Sequence, residues 1–240
     1  MRRFPVNHSK IIDNQVNISG SDYNHIVKVL RLKQGDEVGL FDETGREYLG
    51  EITQINSREV IISISATKSI ETESKLSITL LQGIPKGDKM DLIIEKATEL
   101  GVKQIVPVVT ERSQIRYTHK IQRWRRIAAE SLKQCRRFNA PKINEVVNFD
   151  QALKNNINSQ LSLIVYEKSQ VNLKYKIRNA SQCIDNISII VGPEGGFSGE
   201  EVTIAEESGF IQIGLGPRIL RTETAAIAMI SILQFEFGDI

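Results

Sequence analysis

VGPEGGFSGEE, residues 191–201, joins two kinds of local structure within eleven positions. It follows the isoleucine-rich run ISII at 187–190, and it contains Ser198 with Glu201 three residues later, the pattern of a reciprocal helix cap. A strand therefore ends near Gly192, and a helix begins near Gly199 and stops at Gly209. The glycine-rich turn between them lies at a strand's carboxyl end and a helix's amino end. Open α/β sheets hold ligands there, and free amides favour anions. Glu194 adds a carboxylate to the same turn, which suits a ligand with positive charge or hydroxyl donors. The pattern fits equally a tight strand-to-helix turn that holds nothing.

The same grammar extends on both sides. LSITLLQ (76–82) reads as a buried strand, DLIIEKATEL (91–100) as a helix stopped by Gly101, and VKQIVPVV (102–109) as the next strand. That is a βαβ unit and implies a parallel sheet. Further strands are expected at LSLIVY (161–166), ISIIVG (187–192) and FIQIGLG (210–216), with weak helices in 139–160 and 168–186. Upstream, the short β-rich runs EVGLF, REYLGEITQI and VIISISA, separated by turns, indicate a small antiparallel barrel over 36–65. A helix capped by Ser21 precedes it. The polar stretch TKSIETESK (67–75) separates a small domain at 1–70 from a larger α/β domain at 75–240.

The chain has 240 residues, 40% of them hydrophobic, enough for a sizeable core. Its formal charge is only +2, so an acidic partner must be met by a local basic face. One such face lies between Thr118 and Lys142, where an apolar stripe (Ile121, Trp124, Ile127, Ala128, Leu132, Cys135, Phe138) is surrounded by eight Lys/Arg and a single acid, Glu130. This reads either as a solvated helix face or as a phosphate-binding surface. Cys135 and Cys183 stand far apart with no ligand-spaced partner, which argues against a zinc site and a disulfide framework. No window is apolar enough to span a membrane, and a cytoplasmic location is expected. Neither G-x-x-x-x-G-K-[ST] nor G-x-G-x-x-G occurs; GIPKGDK (83–89) has the wrong spacing. His8, His25 and His119 all lie outside the glycine loops, away from any Ser/His/Asp arrangement.

LLQGIPKGDKMDLIIEKATELGV, VVTERS, IVGPEGGFSGEE and LGPRILRTETA, in this order and spacing, resemble the RsmE family of ribosomal RNA N3-uridine methyltransferases, within the SPOUT superfamily. The N-terminal MRRF and HIVKVLRLKQGD resemble that family's PUA-like RNA-binding domain. The resemblance implies an α/β fold with a trefoil knot and a parallel sheet, a small N-terminal PUA-like β-barrel, and a homodimer. It implies an S-adenosylmethionine site formed by Ile190, Gly192, Pro193, Glu194, Gly195, Gly196, Leu215, Gly216, Ile219 and Leu220, with no metal. Arg221 is then expected to stabilise the developing uridine anion, and Glu194 to orient the ligand or accept the N3 proton. The expected partner is 16S ribosomal RNA or the small ribosomal subunit, met by Arg2, Arg3, Lys28 and Arg31 in the small domain, by Arg112, and by Arg123, Arg126 and Arg137 on the basic helix. A salt bridge or cap is the plainer role for each arginine. The rival functions are a non-catalytic RNA-binding ribosome assembly factor and a tRNA methyltransferase of another SPOUT branch. The helix TETAAIAMISILQF, apolar on nearly every side, fits a dimer core or ordinary intrachain burial.

Overall fold

Alternation of apolar and polar residues organises the first unit of the computed structural model, which describes residues 2–69, 73–116, 118–155, 159–171, 173–174 and 184–240. Strands β1 (Arg3–Pro5), β2 (Gln15–Ser19), β3 (Glu37–Phe41), β4 (Arg46–Ile55) and β5 (Glu59–Ser69) pair in the order β1-β3-β4-β5-β2. All pairs are antiparallel except β1 with β3. Inward side chains such as Phe4, Val16, Ile18, Leu40, Ile52 and Ile62 form its core. Strand β2 was not anticipated, because QVNIS is only five residues long and sits among polar neighbours. Helix α1 (Gly20–Asn24) follows Ser19 rather than Ser21, and the chain then widens so that Leu30 N–H bonds to His25 O. The first and last strands of the sheet do not pair with each other, so the expected barrel is an open, curled sheet.

By contact density the chain divides into residues 1–73 with 133–139, and residues 74–132 with 140–240. The segment 133–139, which groups with the first unit, begins with the last turn of the basic helix (Ile121–Cys135). Of the expected linker, 70–72 lie outside the described residues, as do Cys183 and most of the weak helix placed at 168–186.

In the larger unit every strand is parallel. Strands β6 (Ser77–Gly83), β7 (Gln104–Val109), β8 (Lys142–Ile143), β9 (Val147–Asn148), β10 (Leu161–Val165), β11 (Asn186–Val191) and β12 (Ile211–Ile213) form a sheet of order β12-β10-β11-β6-β7-β8, with β9 also on β7. Successive strand residues face opposite sides. Leu80 and Ile189 pack with α2 (Lys89–Glu99), α3 (Ile121–Cys135) and α6 (Thr222–Phe237). Leu81 and Ile190 pack with α4 (Phe149–Lys154) and α5 (Gly199–Glu207). The cap read at Ser198 and Glu201 is present: Glu201 N–H donates to Ser198 Oγ at 3.2 Å and Ser198 N–H to Glu201 Oε2 at 3.0 Å. Helix α6 buries Met229, Ile230 and Leu233 completely within the chain, so intrachain packing accounts for one face of its apolar surface. No helix among the described residues is long and apolar enough to cross a membrane.

Candidate active site at the carboxyl edge of the parallel sheet

Three chain segments converge beyond the carboxyl ends of β10, β11 and β12. After β12, at one edge of the sheet, residues 214–221 return far enough for Thr222, the first residue of α6, to reach the loop after β11. Thr222 Oγ1 donates to Gly192 O at 2.6 Å and accepts from Gln82 Nε2 at 3.0 Å; Gln82 Nε2 also donates to Gly83 O at 2.9 Å. All these groups are buried, so the pairing fixes the two loops against each other. A Cβ at Gly83 would lie 2.6 Å from Pro193 Cδ and 2.7 Å from Pro193 N, so only glycine permits this approach.

The convergence encloses a cavity of about 720 Å³, within the range of small-molecule sites. Ten of the residues named from sequence line it: Gly192, Pro193, Glu194, Gly195, Gly196, Leu215, Gly216, Ile219, Leu220 and Arg221. Ile190 does not. It faces the opposite side of β11, in the core with Leu81 and Phe197, and strand alternation turns its neighbour Val191 to the cavity instead. Sequence reading missed Lys89, Val165, Tyr166, Glu167, Arg218, Thr222 and Ala225. Val165 to Glu167 were within reach, because they follow a strand of the same parallel sheet and ligands collect at its carboxyl edge. Lys89 gave no local signal.

Charge in the cavity is divided between paired and unpaired groups. Glu194 accepts from Lys89 Nζ at 2.7 Å and from the Lys86 amide at 3.2 Å, within the loop GIPKGDK. Burial pushes the Glu194 carboxyl up, but the hydrogen bonds from Lys89 and the backbone outweigh it and hold the group below its ordinary value. That makes Glu194 an ionised anchor and a weak base. Arg112 Nη1 donates to Gly195 O at 3.1 Å, which ties the TERS loop to the glycine turn. Arg221 occupies the cap position of α6 with an extended backbone, and its exposed side chain makes no hydrogen bond or ion pair with the described residues.

The residues expected at RNA are more scattered. Arg2, Lys28 and Arg31 are exposed on the small unit. Arg3 is not free: only 11% of its side chain is exposed, and it pairs with Glu47 and lies over the Phe41 ring. Arg137 is a clearer correction, since its side chain is 4% exposed and its Nη2 donates to Glu73 Oε2 at 2.8 Å. A cation so enclosed cannot reach a phosphate. Arg123 is bound to Asp91, whereas Arg126 is 71% exposed with only a loose contact to Glu130 at 3.9 Å.

An RNA methyltransferase domain model matches residues 72–234, and an RNA methyltransferase PUA domain model matches residues 18–65. The chain is 38% identical to ribosomal RNA small subunit methyltransferase E of Buchnera aphidicola subsp. Acyrthosiphon pisum, over 92% of this chain and 88% of the relative. It belongs to the ribosomal RNA small subunit methyltransferase E family. The Bacillus subtilis member is 30% identical, over 91% of this chain and 89% of its own length. The Neisseria gonorrhoeae methyltransferase E crystal structure, bound to S-adenosyl methionine, superposes with a TM-score of 0.89 at 33% identity, covering 100% of this chain and 99% of that one. The methyltransferase E match covers both units, and the methyltransferase domain model takes in every residue of the 720 Å³ cavity.

Proposed function

We propose that this chain transfers the methyl group of S-adenosylmethionine to N3 of one uridine in 16S ribosomal RNA. The observation that carries the reading is the convergence, on one cavity, of the backbone cradle at 192–196, the return loop at 215–220 and the unpaired Arg221. The cavity suits the donor: Val165, Val191, Leu215 and Leu220 supply an apolar wall for an adenine, and the glycines expose backbone amides and carbonyls to its polar groups. When bound, S-adenosylmethionine supplies a methyl group already activated by its sulfonium. The chain contributes alignment, which is worth up to ~7–11 kcal/mol. It also stabilises negative charge as N3 loses its proton. Arg221 serves that second role through a uridine carbonyl oxygen, because its guanidinium stands free at the cavity. Glu194, held by Lys89, orients the loop and leaves proton acceptance to another group.

The same reading includes a knotted path, supported by the return of residues 214–221 across the sheet edge to Gly192. It includes a homodimer, supported by a second cavity of about 1090 Å³ that is lined by Ala228, Ser231, Ile232, Phe235 and Ile240 of the C-terminal segment. Phe235 is 69% exposed and Ile240 61%, so the described residues leave these C-terminal side chains uncovered. RNA contact falls to the exposed Arg2, Lys28, Arg31 and Arg126, with Arg112 beside the cavity, in a cytoplasmic protein that needs no metal.

The test is single-turnover transfer of labelled methyl to small ribosomal subunits, followed by nucleoside analysis. The expected product is 3-methyluridine from 16S RNA. Label on another atom overturns the N3 assignment, and label on tRNA in preference to 16S RNA overturns the substrate. No binding of S-adenosylmethionine at millimolar concentration makes the chain a non-catalytic RNA-binding factor.

A further inference from the structure

Three charged side chains that line the 720 Å³ cavity, Glu167, Arg218 and Arg221, make no hydrogen bond or ion pair with the described residues. Two are cations. Glu167 is the cavity's unengaged carboxylate, since Glu194 is taken by Lys89.

Its position is defined from both sides. Val165, the last residue of β10, pairs in register with Val191 of β11, and both line the cavity with Leu215 and Leu220. That apolar wall is where an adenine fits. Glu167 follows two residues later, in the turn closed by the Ser169 amide donating to Tyr166 O at 3.1 Å, and it lines the same cavity as Val165. On the other side is Gly196, whose backbone adopts φ +65°. A Cβ there would lie 3.2 Å from Glu167 Oε2 and 3.4 Å from Oε1, so both carboxylate oxygens abut the bare backbone of the glycine loop. A side chain at 196 would crowd that carboxylate as well as strain the backbone.

We propose that Glu167 is the residue that binds the ribose hydroxyls of S-adenosylmethionine, and so makes the cavity specific for an adenosyl group with an intact diol. The inference rests on the methyl-donor reading above and adds a subsite to it. Two adjacent acceptor oxygens match two vicinal hydroxyl donors. The sugar is the part of the ligand bonded directly to the base, and Glu167 is the acceptor next to the base's apolar wall. Hydrogen bonds to an ionised carboxylate are the strong kind, and nothing else in the described structure competes for this one.

The experiment is calorimetric titration of the wild-type chain, Glu167→Ala and Glu167→Gln with S-adenosylmethionine and with its 2′,3′-dideoxyribose analogue. Glu167 is exposed at the surface, and circular dichroism confirms that each variant folds. The Ala variant is expected to bind S-adenosylmethionine roughly 10–100-fold more weakly while its affinity for the dideoxy analogue stays within about two-fold of wild type. The Gln variant should fall between, because it keeps one acceptor oxygen. Equal losses for both ligands would mean that Glu167 acts through cavity shape or through the ligand's cationic end, and would overturn the proposal. So would unchanged affinity for S-adenosylmethionine. A wild-type chain that binds neither ligand overturns the methyl-donor reading itself, and this inference with it.

Discussion

Arg221 and Arg137 are both arginines in basic surroundings, and burial separates them. Arg221 keeps its charge exposed beside the cavity, where under the proposed mechanism its truncation would remove an interaction made only as charge develops on the uridine. Arg221→Ala is expected to leave S-adenosylmethionine affinity within a few-fold and to slow single-turnover methyl transfer by about 10²–10³. Arg221→Lys should recover part of this, since a point charge does not reproduce the planar fork. Arg137 holds structure instead. Its partner Glu73 also accepts the Phe138 and Asn139 amides, at 3.1 and 3.2 Å. Burial raises the Glu73 carboxyl, but Arg137 and these amides pull it below its ordinary 4.5. A depressed folded value contributes stability above the unfolded value and loses it as pH falls through the folded one. Wild type should therefore lose stability below about pH 4.5, read by chemical denaturation across pH. Glu73→Gln should be less stable at neutral pH by about 3 kcal/mol and flatter in acid. Equal acid slopes for the two would remove Glu73 as a cause.

At the scale of elements, the start of α6 and the basic helix α3 each carry a distinct expectation. Thr222 opens α6 and closes the site by linking Gln82 to Gly192 O. Thr222→Val keeps the shape and strands a buried carbonyl, at a cost of about 1–3 kcal/mol. The variant should melt lower and bind S-adenosylmethionine more weakly, and Thr222→Ser should restore both. If calorimetry finds Thr222→Val binding as wild type does, the link between the loops is dispensable. For α3, most of the charge that reads as basic in sequence is answered by acids of other elements: Lys120 by Asp88, Arg123 by Asp91, Arg125 by Glu145 and Lys133 by Asp22. Arg126 is 71% exposed, with only the 3.9 Å contact to Glu130. Arg126→Ala should lower the slope of log affinity against log salt for RNA by about one, and an unchanged slope returns it to a solvated surface.

For the whole molecule, the decisive question is what covers the outer face of α6. Ile230, central in that helix, is fully buried within the chain, so Ile230→Asp tests folding and not assembly. Phe235 is the better probe, because it is exposed and lines the apolar cavity beside Leu215, Gly216 and Leu220, which also bound the ligand cavity. Phe235→Asp is expected to fold, to sediment as a monomer at micromolar concentration, and to bind S-adenosylmethionine more weakly through the shared loop. A native chain that sediments as a monomer would remove the dimer.

Sequence by itself determined what depends on neighbours a few residues apart. The strand and helix grammar of the larger unit, the Ser198–Glu201 cap, the stop at Gly101 and the glycine loops follow from backbone sterics and short-range hydrogen bonds, and those are written locally. Most of the cavity lining was legible for the same reason, since the loops sit where strands end. Pairings between distant residues were decided only by the tertiary structure. Lys89 meets Glu194 across 105 positions, and Arg137 meets Glu73 across 64. Those contacts settle which charges are spent and which stay free. The side of β11 that faces the cavity was decided in the same way: a run such as ISIIV, buried on both faces and broken only by Ser188, gives no sustained alternation from which to tell Ile190 from Val191.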